Sequence, residues 1–143
     1  MSGHFLIVQS RFYPEIADAQ LIGAKSALNA VGASHEHVSV PGALEIPVAI
    51  AMAVVSDEHF DGYVALGCVI RGKTSHYETV CFESARGLMD LAIAENLAIG
   101  NGILTVEDEA QAWERADVAR KDKGGDAARA AVSLVTLRKR FGI

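Results

Sequence analysis

The sequence has 143 residues, half of them hydrophobic and 22% charged, with 13 Lys and Arg against 18 Asp and Glu. That composition excludes a disordered chain and supports one compact domain over residues 1–143 with a sizeable core. A net charge of −5 provides no overall positive field for nucleic acid, and the slightly positive mean hydropathy fits either an unusually well-buried domain or apolar surface facing another subunit.

Phe5 to Val8 is a short apolar run that reads as a buried strand. Polar Gln9, Ser10 and Arg11 follow at once, which argues against a signal peptide. A helix is predicted from Glu15 to Val31, with an apolar stripe of Ala17, Leu21, Ala24, Leu28 and Val31 and a stop at Gly32. A second strand runs from His35 to Val40 and ends at Pro41-Gly42. Glu45 to Val55 reads as a helix that tolerates Pro47 in its first turn and is apolar on nearly every face, with a short strand as the other reading. Such a helix needs cover on all sides, which in a small domain suggests a neighbouring subunit. Its apolar run from Ile46 is too short for a bilayer, which needs roughly 20 residues.

Tyr63 to Ile70 reads as a central strand, and Tyr77 to Ala98 as a long helix. Ile99 to Thr105 is a fourth strand, and a helix is predicted from Glu107 through Trp113. After a break at Gly124-Gly125, a last helix carries Ala127, Ala130, Ala131, Leu134 and Leu137 on its apolar face and ends in Arg138, Lys139 and Arg140. The alternation β-α-β-α-β-α-β-α implies a parallel sheet with helices on both faces, and ligands bind beyond the carboxyl ends of such strands. Cys68 and Cys81 have no metal-ligand or redox spacing and read as reduced thiols, which suits the cytoplasm.

Four strand ends therefore hold the candidate chemistry. The first carries Phe12-Tyr13, either a stacking platform for a flat ring or ordinary loop packing. The second carries Gly42, Ala43, Leu44 and Glu45: small residues let backbone approach a ligand, and the carboxylate binds a polar group or caps the helix. The third carries Gly72, Lys73, Thr74, Ser75 and His76 directly before a helix. Hydroxyls and helix-start amides there form an anion cup, and an imidazole beside it is suited to proton transfer near neutral pH. The bland alternative is a turn with N-cap Ser75 and a solvated histidine. The P-loop pattern is absent. The fourth end, at Asn101, is followed by Arg115, Arg120, Lys121 and Lys123, which read as a phosphate anchor or as a solvated helix end. An anion cup, a histidine and distant cations fit a phosphorylated small molecule, but spacing alone does not reveal the reaction.

The segments VPGALEIPVA (40–49), ALGCVIRGKTSHYETVC (65–81), GNGILTVEDEAQAWERA (100–116) and KDKGGDAARAAV (121–132) resemble, in order and spacing, those of the lumazine synthase family. The resemblance implies a flavodoxin-like fold, a three-layer αβα sandwich around a four-stranded parallel sheet. It implies condensation of 5-amino-6-(D-ribitylamino)uracil with 3,4-dihydroxy-2-butanone 4-phosphate, without metal or organic cofactor, in pentamers or assemblies of pentamers. It also implies sites between neighbouring subunits, and no nucleic-acid or membrane partner. His76 matches the proton-relaying histidine. Gly72, Lys73 and Thr74 match the phosphate loop, and Arg115 of an adjacent subunit matches the phosphate-binding arginine. Phe12 matches the ring-stacking aromatic, and Gly42, Ala43, Leu44 and Glu45 the loop holding the uracil and ribityl chain. Val69 and Ile70 are carried over as further substrate contacts, as are Asn101 and Lys123 from the neighbour.

Three residues depart from the family pattern. Leu44 stands where many members carry phenylalanine, Asn101 where some do, and Lys73 where a small residue is common. A binding module without chemistry and a shell-forming scaffold are the competing readings of the same residues. His76 beside the cup, with Arg115 far along the chain, favours an enzyme.

Overall fold

The computed structural model describes residues 3–143. In chain order the elements are β1 His4–Ser10, α1 Pro14–Ala30, β2 Ser34–Val40, α2 Glu45–Val55, β3 Gly62–Ile70, α3 His76–Glu95, β4 Ile99–Val106, α4 Glu109–Ala116 and α5 Lys123–Phe141. The four strands form one parallel sheet in the order β2-β1-β3-β4. Residue type dictates that order. β1 and β3 are nearly continuous apolar runs, buried on both faces, as inner strands of a covered parallel sheet must be. β2, with the sequence SHEHVSV, is largely exposed, and β4 alternates buried with exposed positions, so both suit edges.

Right-handed crossovers then distribute the helices. α1 packs with α5, and α2 with α3. Phe5, Ile7, Val64 and Leu66 point into the first layer with Ala24, Leu28, Ala128 and Ala131. Leu6, Val8, Tyr63 and Ala65 point into the second with Ile46, Ile50 and Leu88. The three-layer sandwich expected from the sequence is therefore present. Its connections reverse direction between β1 and β3, where open α/β sheets leave a crevice.

Several boundaries differ from the periodicity reading. α3 stops at Glu95 because Asn96 turns left-handed (φ 54°) and returns its N–H to Ala92 O. Leu97 and Ala98, which continue the apolar pattern, lie in the turn into β4. α4 begins at Glu109 rather than Glu107, since Asp108 caps it by accepting from Gln111 N at 2.8 Å. Ser75 holds the N-cap position of α3 without a side-chain capping bond.

The largest revision concerns α5. Gly124 and Gly125 do not break the chain before the helix but form its first turn, capped by Asp122. Each has its own reason to be small: a Cβ on Gly124 would lie 2.3 Å from Gln20 O of α1, and one on Gly125 would lie 2.3 Å from Oδ2 of the capping Asp122. The buried face of α5 accordingly holds Ala127, Ala128, Ala131 and Val135, while Ala130, Leu134 and Leu137 are exposed. α2 has the bounds expected of it, yet buries only Ile46 and Ile50 and leaves Val48, Met52 and Val55 uncovered. Among the described residues no helix is long and apolar enough to cross a membrane.

Candidate active site

A cleft of about 370 Å³ opens at the reversal between β1 and β3, a volume suited to a small ligand. Phe12 and Tyr13 form one wall, where β1 runs into α1. Their rings meet edge to face at 5.0 Å, and Phe12 is 70% exposed, leaving an apolar ring face free for stacking. Gly42, Ala43, Leu44 and Glu45 bring in the loop from β2 to α2. A side chain at Gly42 would press on Glu45 Oε1 at 3.2 Å, so the glycine keeps the carboxylate against the loop.

The end of β3 supplies Val69 and Ile70, and the loop beyond it Gly72 and Thr74. His76 opens α3 and faces the same cleft. Its backbone N–H donates to Thr74 Oγ1 at 3.3 Å, and among the described residues its ring has no hydrogen-bond partner. Cys68 also lines the cleft, but burial pushes its thiol from the ordinary 9.0 up to about 12, so it is no nucleophile at neutral pH. Cys68 and Cys81 are both unpaired.

Of the candidates at these strand ends, Lys73 and Ser75 do not line the cleft; both are exposed between β3 and α3. Asn101, Arg115 and Lys123 are elsewhere. They line a second cleft of about 410 Å³ on the β4 edge, which shares no residue with the first. There Arg115 donates from one guanidinium nitrogen to Gln111 O at 3.1 Å, and Lys123 Nζ lies 3.5 Å from Asp126 Oδ2. Asn101 Oδ1 accepts from Ile103 N at 2.9 Å, which leaves the amide NH₂ as its donor.

The sequence reading missed Cys68, Tyr77 and Val80 as lining of the first cleft and Asp126 as lining of the second. Helical spacing contained part of the signal: Val80 is four residues beyond His76, and Asp126 three beyond Lys123. The Asp126 carboxyl is held below its ordinary range by Arg129 first, and by Lys123 to a lesser degree.

Fold and cleft together define a doubly wound α/β protein with a cleft of small-molecule size at its switch point. Residues 2–139 match the family model described as 6,7-dimethyl-8-ribityllumazine synthase, and the chain belongs to that family. It is 59% identical to 6,7-dimethyl-8-ribityllumazine synthase 1 of Rhizobium meliloti, with 97% of this chain and 94% of the relative covered. The 6,7-dimethyl-8-ribityllumazine synthase of Sphingopyxis alaskensis is 60% identical with 98% of each chain covered. That of Bartonella tribocorum is 60% identical over 97% of this chain and 92% of the relative.

Proposed function

We propose that this protein condenses 5-amino-6-(D-ribitylamino)uracil with 3,4-dihydroxy-2-butanone 4-phosphate to give 6,7-dimethyl-8-ribityllumazine, phosphate and water, the penultimate step of riboflavin biosynthesis. In this reading Phe12 stacks on the pyrimidine while Gly42, Ala43, Leu44, Glu45, Val69 and Ile70 hold that ring and its ribityl chain. Gly72 and Thr74 receive the phosphate with the first amides of α3, where helix dipole and free N–H groups favour an anion. Lys73 adds positive charge from outside the cleft. His76 relays protons as the amine adds to the carbonyl and phosphate departs.

The observation that carries the proposal is the division of the site. The stacking ring, histidine and anion cup line one cleft, whereas Asn101, Arg115 and Lys123 line another. Each cleft lacks what the other has. A ring of subunits supplies both at once if each subunit presents its β4 edge to its neighbour's cleft. We read the assembly as a homopentamer or a multiple of it, acting in the cytoplasm.

The test is a steady-state assay of Arg115→Ala following lumazine absorbance, with the uncatalysed rate subtracted. A guanidinium fork pairs two phosphate oxygens, and a charge-assisted bond of this kind is worth about 2 kcal/mol. KM for the butanone phosphate should rise roughly thirtyfold with that loss, while KM for the pyrimidine stays within about twofold. An unchanged KM for the phosphorylated substrate would remove Arg115 from the phosphate site.

A further inference from the structure

Arg71 lies at the root of the anion-cup loop, where a cation invites assignment to the phosphate. Its geometry points elsewhere. Its backbone N–H donates to Val106 O at 3.0 Å, prolonging the pairing of β3 with β4 by one residue. Its Nε donates to Glu107 Oε2 and its NH1 to Glu78 Oε1, each at 2.5 Å. The guanidinium carbon also sits 4.3 Å from the centre of the Tyr77 ring. Two carboxylates and an aromatic face thus engage the group, which is not among the residues lining either cleft.

The partners matter because of where they sit. Glu78 and Tyr77 are in the first turn of α3, immediately after His76. The intervening loop, 72–75, is exposed throughout, and a Cβ added to Gly72 would touch nothing within 4 Å. One side chain therefore ties the strand before the loop to the helix after it, and so fixes the separation the loop must span. Glu107 extends the tie. Its N–H donates to Gln111 Oε1 at 2.8 Å, and Gln111 O accepts from Arg115 at 3.1 Å. A continuous set of polar contacts runs from the His76 helix to Arg115.

We propose that Arg71 is a positioning residue for the condensation: clasped by Glu78 and Glu107, it sets the place of His76 and the anion cup relative to β4 and α4. The inference rests on the proposed reaction at this site. The Arg71 side chain is 42% exposed, and exposed ion pairs contribute little to folding. Its effect therefore falls on geometry, where a displacement of about 1 Å can cost up to a hundredfold in rate.

The experiment compares Arg71→Gln, Glu107→Gln and the double variant with the wild-type oligomer, measuring kcat, both KM values and Tm. Arg71→Gln should lower kcat roughly ten- to hundredfold while KM for the pyrimidine stays within about twofold. Glu107→Gln should lower kcat in the same direction, and the double variant should be no slower than Arg71→Gln, since both interrupt one clasp. Arg71→Lys should recover only part of the rate, because an ammonium cannot reproduce the two-sided fork. If Arg71→Gln does not fold, Glu107→Gln alone carries the test. Wild-type kcat in whichever variants assemble, or losses that multiply in the double variant, would overturn the clasp. A wild-type protein without lumazine-forming activity would instead remove the underlying reaction.

Discussion

The His76 ring is exposed and has no hydrogen-bond partner among the described residues, its backbone N–H alone donating to Thr74 Oγ1. Water has access to the same place and can carry protons less efficiently. Most of the acceleration in a condensation of two bound reactants comes from holding them together, with proton transfer adding a smaller factor. His76→Ala should accordingly reduce kcat by roughly ten- to hundredfold, with both KM values within about twofold. Complete loss of turnover with substrate binding intact would assign His76 a larger part. The three departures from the family pattern differ in what they touch. Leu44 lines the cleft, Lys73 stands outside it, and Asn101 spends its carbonyl on the backbone of its own strand. Leu44 is thus the departure that directly changes the lining of the first cleft.

Elements defined by long apolar runs were legible in the sequence, and those defined by close packing were not. β1 and β3 announce themselves because inner strands are nearly continuous apolar runs, and α2 keeps the bounds its pattern implies. Cleft residues were legible where a strand end meets a loop of small and polar residues, as at 42–45 and 72–76. α5 was misjudged because two adjacent glycines in one sequence look like a break. Only the neighbouring backbone of α1 shows that they are a helical turn pressed against another helix. The same closeness recurs at β4, where a Cβ on Gly100 would lie 1.8 Å from Ala127 O. Gly100→Ala should push α5 off the sheet and cost roughly 3 kcal/mol, an overpacking effect. Chemical denaturation would register it as a lower midpoint at unchanged slope, whereas a midpoint equal to wild type would show that α5 is free to shift.

At the scale of the molecule, apolar surface and chemistry are both left open. Val48, Met52 and Val55 on α2, and Phe82, Met89 and Ile93 on α3, are large apolar side chains exposed on the layer formed by these two helices. The all-apolar pattern of α2 implies such exposure in a lone subunit, and the proposed assembly requires a contact surface of this kind. The division of the site was visible in the sequence only through the resemblance. Spacing could not show that Arg115 and His76 belong to separate clefts of one chain. Activity under the proposed function therefore depends on assembly, because the two clefts of one subunit hold different parts of the proposed site. The most direct measurement is the specific activity of lumazine formation, with the uncatalysed rate subtracted, recorded alongside light-scattering mass as the protein is diluted through dissociation. The proposed function requires activity that follows the oligomer fraction and vanishes in the monomer. Full activity in the monomer, or none from a well-assembled oligomer, would contradict it.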